Sequence, residues 1–271
     1  MKKYINKNLK KYAPLWFLHS PKFFGSSTAK LKSFQNAYNG KTCVIIGNGP
    51  SLNSVDFTLL EKTYTFGVNG IFYKTDQTGF VPSFYTVEDG AVMRDNLERI
   101  RSYKPKIASF FPSIYRKYLG ESQNRNFFRM DRRFYENRSY NFEVPQFSKD
   151  ISAKVYCNQS VTFVNFQLAY FMGFKKILLV GMDHNYTIPD DHIKTENKIL
   201  STTDDPNHFH PEYFGKGKTW HDPKLHNVEL SYRVFKEVFV HQKVKIFNCT
   251  DGGNLNVFDR SKLEEHLCDL I

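Results

Sequence analysis

The stretch TCVIIGNGPSL, residues 42–52, decides the fold class of this 271-residue chain. Its first five residues are apolar or β-branched, which predicts a short buried strand. Two glycines, an asparagine and a proline then turn the chain, and a short helix is expected near residues 54–60. A strand that leads through a glycine-rich loop into a helix is the repeating unit of parallel α/β sheets, and its loop favours anion binding.

Similar units follow along the chain. The sequence predicts helices at 91–103, 160–172 and 225–240, and strands at 64–68, 82–87, 106–111, 176–180 and 243–249. We therefore expect a single α/β domain, Rossmann-like, with a mainly parallel sheet. Ligands of such sheets bind beyond the carboxyl ends of the strands, so the loops of interest are 47–52, 69–70, 88–90, 181–186 and 248–253.

Two long segments lack a clear hydrophobic period. Residues 113–150 are aromatic and charged, and we interpret them as irregular connections with at most one short strand. Residues 184–222 are polar and rich in His, Asp and Pro. A connection of this length in an α/β domain is typical of a lid, so the lid is predicted at about 184–222.

The positive charge is concentrated at the N-terminus. The chain has a net charge of +11, and nine of its lysines lie within residues 1–42, where no acidic residue occurs. This distribution predicts a basic, aromatic leader at 1–40, before a nearly neutral domain at 41–271. Lysines mixed with bulky apolar residues such as Trp16 suit an anionic membrane surface. A leader packed on the domain and a nucleic-acid-binding arm are the alternatives.

Several protein classes are excluded by composition. A hydrophobic fraction of 41% fits a globular protein. The absence of a run of about 18 apolar residues argues against a membrane-spanning helix. The first residues lack the apolar stretch of a secretory signal, and the four cysteines are widely spaced. We therefore expect a cytoplasmic protein, peripheral at the inner face of the cell membrane.

Three motifs, in order along the chain, resemble those of one enzyme family. IIGNGPSL (45–52), VNGIFY (68–73) and the segment 160–186 resemble the opening, second-strand and central motifs of bacterial lipooligosaccharide sialyltransferases. The resemblance implies a GT-A-type domain that binds CMP-sialic acid. It also implies that Asn48 and Asn69 contact the nucleotide, together with Ser160 at a helix start and Asp183 after a strand.

From the loops and the resemblance together we predict the substrate-binding residues. They are Gly47, Asn48, Gly49, Ser51, Asn69, Ser160, Thr162, Gly181, Asp183, Tyr186, Tyr213 and Lys216.

The lid contains the histidines that are candidates for catalysis. The resemblance implies that a lid histidine is the general base on the acceptor hydroxyl, and imidazole has a suitable pKa for this task. The candidates are His210, which we favour slightly, and His208. A zinc site formed by these two residues is a minor alternative, since no cysteine is near them.

A second resemblance suggests a different reaction. HFHPEYFG (208–215) and IFNCTDGG (246–253) are similar to late motifs of proteins related to archaeal-type 6-hydroxymethylpterin pyrophosphokinase. That resemblance implies a Mg²⁺-dependent pyrophosphokinase or phosphotransferase, with Asp89 and Asp183, assisted by Glu88, as metal ligands. The sialyltransferase resemblance implies no required cofactor, so Mg²⁺ is expected only under this alternative.

The favoured hypothesis is a glycosyltransferase. It would move an acidic sugar, sialic acid or a relative, from a CMP-sugar to a cell-surface glycolipid or polysaccharide. The predicted partners are the CMP-sugar donor, the glycan or glycolipid acceptor and a membrane surface. No nucleic-acid partner is expected, and the sequence leaves open whether the chain forms a homo-oligomer. A non-catalytic nucleotide-sugar-binding protein is a third hypothesis.

Overall fold

A computed structural model describes residues 21–195 and 198–267. Its strands in chain order are β1 Thr42–Ile46, β2 Tyr64–Val68, β3 Phe84–Thr86, β4 Ala108–Pro112, β5 Arg125–Phe128, β6 Met130–Asp131, β7 Val155–Tyr156, β8 Lys176–Val180, β9 Ile193–Thr195, β10 Lys198–Leu200, β11 Thr219–His221, β12 Lys245–Asn248 and β13 Asp259–Arg260. The helices are α1 Pro21–Lys32, α2 Phe72–Thr78, α3 Gly90–Asp95, α4 Leu97–Ser102, α5 Arg116–Leu119, α6 Thr162–Met172, α7 Leu225–His241 and α8 Glu264–Leu267.

Eight of the strands form one sheet, in the order β13-β12-β8-β1-β2-β3-β4-β5. Every neighbouring pair in this sheet is parallel, which confirms the predicted α/β class with a mainly parallel sheet. The chain runs outward from β1 to β5 on one side and from β8 to β13 on the other. The order therefore reverses between β1 and β8, and such a switch point leaves a crevice at the carboxyl ends of the two strands.

The core lies on both faces of this sheet. Along β1, Cys43 and Ile45 belong to one apolar cluster, while Val44 and Ile46 belong to the other. This alternation is what a strand buried on both faces requires. Ten of the eleven residues of α6 are buried, as its apolar sequence predicted. Gly173 ends this helix in the left-handed conformation, with φ 88°.

Several predicted elements are shorter or divided. The predicted helix at 91–103 is two helices, α3 and α4, which meet at Asn96, a residue with non-helical dihedral angles. The helix expected near 54–60 is replaced by two 3₁₀ turns, Pro50–Ser54 and Phe57–Leu60. Asp56 caps the second turn by accepting a hydrogen bond from the Thr58 amide, and this cap favours the start of a separate turn at Phe57.

The two segments without a hydrophobic period contain more regular structure than expected. Residues 113–150 contribute β5 to the edge of the main sheet and β6 to a two-stranded parallel pair with β7. Within the lid, β9, β10 and β11 form an antiparallel sheet. The buried Trp220 of β11 donates its indole N–H to Ser201 Oγ at 3.0 Å. The segment predicted as a lid therefore contains regular structure, and its Phe209 and Tyr213 belong to one of the two apolar clusters of the main sheet.

Part of the predicted leader is packed against the domain. Leu31 in α1 is buried, Phe34 meets Phe110 edge to face, and Tyr38 stacks on Phe174. Residues 1–20, which hold most of the basic and aromatic side chains assigned to a membrane surface, lie outside the described residues. Among the helices that the structure describes, none has the length and apolarity needed to cross a membrane.

Candidate active site

A cavity of about 750 Å³ opens at the carboxyl ends of β1, β2, β3 and β8. It lies at the switch point of the sheet, where ligands of this fold class bind, and its size suits a small organic ligand. Its walls come from the loops after these strands, the start of α6, the lid and residues 132–143. The predicted residues that line it are Gly47, Asn48, Gly49, Asn69, Asp89, Ser160, Thr162, Gly181, Asp183, Tyr186, His208 and Tyr213. Ser51, His210 and Lys216 do not.

The loops after β1 and β8 are packed directly on each other. The amide of Gly49 donates to the carbonyl of Gly181 at 3.0 Å. Both oxygens of Asp183 accept hydrogen bonds from Ser51, one from its amide at 3.0 Å and one from its hydroxyl at 2.6 Å. Ser51 therefore acts behind the cavity wall, where it fixes the Asp183 carboxylate.

This close packing predicts a large cost for a side chain at Gly49. A Cβ atom there would lie 2.5 Å from Cγ of Asp183, although the backbone itself, at φ −68°, suits any residue. We expect Gly49→Ala to lower the free energy of unfolding by about 2 kcal/mol in urea titrations. Gly90→Ala is the matched control, because its Cβ would meet nothing closer than 3.6 Å, and it should change stability by less than about 0.5 kcal/mol. Equal losses in both variants would contradict this steric explanation.

Two asparagines that line the cavity have buried amide oxygens without a hydrogen-bond donor among the described residues. Asn48 uses its Nδ2 to donate to the carbonyl of Val68 at 3.1 Å and to the Tyr213 hydroxyl at 2.9 Å. Oδ1 of Asn48 and Oδ1 of Asn69 are buried, and neither accepts a hydrogen bond from any residue within 21–195 or 198–267. A buried acceptor without a donor costs about 1–3 kcal/mol, so a ligand that supplies donors explains both oxygens.

His208 is held in a hydrogen-bonded pair. Its Nδ1 lies 2.7 Å from Oδ2 of Asp205, its ring stacks on Tyr213 with centroids 4.1 Å apart, and its Nε2 lies 3.4 Å from the Tyr186 hydroxyl. Burial would raise the pKa of Asp205, but the hydrogen bond and charge of His208 outweigh it, and the pKa is lowered. An ionised Asp205 favours the proton on Nδ1 and leaves Nε2 as the acceptor, on the side of the Tyr186 hydroxyl.

His210 lies on the other side of this turn, away from the cavity. Its ring stacks on Tyr73 with centroids 4.3 Å apart, and its Nδ1 accepts the amide of Glu212 at 3.2 Å. Phe209 between the two histidines is fixed at both backbone groups, because its amide donates to the Asn48 carbonyl and its carbonyl accepts from Asn53 Nδ2. The turn thus directs the two histidines to opposite sides.

The two hydroxyls at the start of α6 line the cavity as a pair. Ser160 Oγ and Thr162 Oγ1 are 3.2 Å apart. Tyr186 and Tyr213 also line the cavity, and burial raises the pKa of both phenols well above the usual range. These tyrosines therefore stay neutral and can donate hydrogen bonds to a ligand.

The acidic residues after β3 occupy another wall of the cavity. Asp89 caps α3 by accepting the amides of Ala91 and Val92, and its Oδ2 lies 3.5 Å from Nδ1 of His221. The hydrogen bond that His221 donates to Asp89 raises the pKa of His221. Asp89 and Asp183, the predicted metal ligands, both line the cavity. Asp89 accepts hydrogen bonds from the start of α3, and Asp183 accepts hydrogen bonds from Ser51. Across the described part of the chain, no three His, Cys, Asp or Glu residues come together as a metal site.

The sequence interpretation missed the partner of His208 and several residues of the cavity. Asp205 precedes His208 by three residues, a spacing that could have indicated the pair. Arg132, Tyr135 and Phe142 come from the segment interpreted as irregular, which carries no pattern that would direct it to the cavity. His184 and Lys224 flank the lid and also line the wall.

Comparisons with known proteins show the family. Among curated proteins, none matches this chain. Among solved structures, the chain is similar to the MAf glycosyltransferase from Magnetospirillum magneticum AMB-1, with a TM-score of 0.48 and 13% identity over 90% of this chain. It spans 39% of the length of that protein. The MptE-like family profile, described as 6-hydroxymethylpterin diphosphokinase MptE-like, matches residues 19–189, which is more than half of the chain. The resemblance to pterin pyrophosphokinase-like proteins is therefore confirmed at the level of the family, and this chain belongs to the MptE-like family.

Proposed function

We propose that this protein is a glycosyltransferase that moves an acidic sugar, sialic acid or a relative, from a CMP-sugar to a hydroxyl of a cell-surface glycolipid or polysaccharide. One observation carries the proposal: His208, paired with Asp205, lines the same cavity as the loops at the switch point of the sheet. Sugar transfer needs a nucleotide site and a base for the acceptor hydroxyl within reach of each other, and a cavity at the switch point with His208 in its wall supports this assignment.

In this proposal the nucleotide binds at the switch point. Asn48 and Asn69 present their unpaired oxygens to donors of the nucleotide, and the Ser160 and Thr162 hydroxyls contact its ribose or phosphate. Arg132 lines the cavity, and its guanidinium makes no hydrogen bond or ion pair with a residue that the structure describes. A guanidinium suits a carboxylate or phosphate, so Arg132 is our candidate for binding the acidic groups of the donor.

His208 then acts as the general base. Its Nε2 takes the proton of the acceptor hydroxyl, and the acceptor oxygen forms a bond to the anomeric carbon. The bond from that carbon to the phosphate oxygen breaks, and CMP leaves with the bonding electrons. Asp205 stabilises the imidazolium that forms, and it keeps the ring oriented throughout.

A Mg²⁺-dependent pyrophosphokinase is the second candidate, because the family is described by such an enzyme. That reaction depends on carboxylates free to bind the metal. In this cavity, both oxygens of Asp183 accept hydrogen bonds from Ser51, while Asp89 caps α3 and faces His221. Of the three predicted ligands, only the Glu88 carboxylate is without a partner among the described residues, and one carboxylate is a poor site for Mg²⁺. We therefore favour a reaction without a required metal.

The place of action is part of the same proposal. A glycolipid acceptor is made at a membrane, and we propose that the protein works at the cytoplasmic face. Residues 1–20 include five lysines and Trp16. In this proposal they contact the anionic membrane surface.

Ligand stabilisation tests the nucleotide assignment. We expect CMP and CMP-sialic acid to raise the midpoint of thermal unfolding without Mg²⁺, by an amount that corresponds to about 2.7 kcal/mol at a hundredfold excess over Kd. UDP-N-acetylglucosamine and ATP should have little effect. Asn69→Ala should weaken the CMP shift, while Asn124→Ala, an exposed residue before β5, should not.

The same screen separates the two candidate functions. Arg132→Ala should weaken the binding of CMP-sialic acid more than the binding of CMP, because only CMP-sialic acid carries the sugar carboxylate. Stabilisation by ATP that requires Mg²⁺, without any effect of CMP or CMP-sialic acid, would instead support the pyrophosphokinase.

A further inference from the structure

Glu88 is a buried carboxylate without a partner among residues 21–195 and 198–267. Its side chain lines the cavity, the residue is 8% exposed, and its carboxylate makes no hydrogen bond or ion pair with the residues described here. Its backbone carbonyl accepts the Tyr115 hydroxyl at 2.8 Å, which fixes the end of β3. Burying an unpaired carboxylate costs free energy, so this residue does not serve stability, and a ligand with donors is the simplest explanation.

The electrostatic surroundings of Glu88 are consistent with such a ligand. Burial first, and then the charge of Asp89, raise the pKa of Glu88 to about 7, while Arg132 and His221 act in the opposite direction. A carboxyl group in this position can be either ionised or protonated. In either form it has an oxygen that can accept a hydrogen bond from a hydroxyl.

Two aromatic side chains of the cavity are exposed. Tyr135 and Phe142 are 41% and 38% exposed, and both line the cavity. The Tyr135 hydroxyl donates to the carbonyl of Asn158 at 2.6 Å, which holds its ring in place. Large exposed aromatic side chains beside a cavity indicate a binding surface. The C–H face of a pyranose packs against aromatic rings, while its hydroxyls turn to polar groups such as a carboxylate.

We infer that Glu88 binds the hydroxyls of the acceptor sugar, with Tyr135 and Phe142 as its stacking surface, and that this sugar is a neutral pyranose. An acidic acceptor sugar would place a second carboxylate next to Glu88 and Asp89, and the like charges would repel, because Arg132 is assigned to the donor and His221 is paired with Asp89. This inference rests on the proposed function, since it assigns the acceptor side of the same cavity. It predicts that the enzyme adds its acidic sugar to a neutral terminal residue and does not extend a chain of acidic sugars.

The probes are the methyl β-glycosides of galactose, glucose and N-acetylglucosamine, with the methyl α-glycoside of sialic acid as the acidic comparison. Binding to the full chain is measured by saturation-transfer NMR, with and without CMP. We expect at least one neutral glycoside to bind and the sialic acid glycoside not to bind. Glu88→Gln should weaken the binding of the neutral glycoside by about tenfold or more, because a charge-assisted hydrogen bond is lost. Glu61→Gln, an exposed glutamate, is the control and should bind as the wild type does.

Three results would overturn the inference: no neutral glycoside binds, Glu88→Gln binds the glycoside as well as the wild type does, or the sialic acid glycoside binds best. Thermal unfolding of Glu88→Gln at pH 8 verifies that the variant is folded. The CMP shift is measured on the same samples. If CMP stabilises the protein and Glu88→Gln has no effect on glycosides, the acceptor site fails alone; if CMP has no effect, the nucleotide assignment fails.

Discussion

His208→Ala is expected to lower kcat for sugar transfer by about 10²- to 10⁴-fold, the usual range for loss of a general base. This corresponds to about 3–5 kcal/mol of transition-state stabilisation. CMP binding, measured by thermal shift, should change little, because the nucleotide contacts we propose come from the strand-end loops and α6. The change should therefore appear in turnover rather than in donor affinity.

The neighbouring histidine is the matched control. His210 stacks on Tyr73 outside the cavity, so His210→Ala should change kcat by about twofold or less. Asp205→Asn should have an intermediate effect, about 10²-fold, since it removes the charge that orients His208 but leaves the imidazole. A variant lacking His208 that turns over at the wild-type rate, or a large loss in His210→Ala, would exclude His208 as the base.

Glu88→Gln is expected to stabilise the protein at pH 8 by about 3 kcal/mol and to have little effect at pH 4. The pKa of Glu88 is raised from the ordinary value of 4.5 to about 7, mainly by burial. The folded state therefore binds more protons than the unfolded chain between these two pH values. Stability contributed by this group is lost as pH rises through that window, and glutamine, which does not ionise, removes the loss.

The measurement is the free energy of unfolding of wild type and variant in urea at several pH values. The difference between the two should grow from pH 4.5 to 7 and then level off. Glu61→Gln serves again as the control, and its difference from the wild type should stay flat. A difference that is independent of pH would mean that Glu88 is not held near neutrality by burial.

Elements with strong local signals were predicted well from the sequence. The bounds of β1, β2 and β8 agree with the predicted strands, because each is a short apolar run that ends at a glycine or asparagine. The elements that were missed depend on distant partners. β5, with the sequence RNFF, lies among charged residues, and only its pairing with β4 and its cover by α1 explain why Phe127 and Phe128 are buried.

Some residues of the candidate site could likewise be predicted from the sequence, and others could not. The loops at strand ends were found from the sequence because a parallel sheet gathers its carboxyl ends at one edge. The two lid histidines could not be distinguished, since alternate residues of an extended chain share a side, whereas this segment is bent and separates them. Arg132, Tyr135 and Phe142 could not be found, because they reach the cavity through an irregular segment whose path depends on tertiary packing.

The backbone bonds of Phe209 have a mechanical consequence. Asn48 belongs to the first strand-end loop, and Asn53 to the 3₁₀ turn that follows it. The carbonyl of Asn48 accepts the amide of Phe209, and the side chain of Asn53 donates to the carbonyl of Phe209. The histidine part of the lid is therefore coupled to the nucleotide loop, and the two are expected to move together. Any gate for the entry of substrate is then expected to move without breaking this contact. His208 would stay aligned with the nucleotide site while that gate opens and closes.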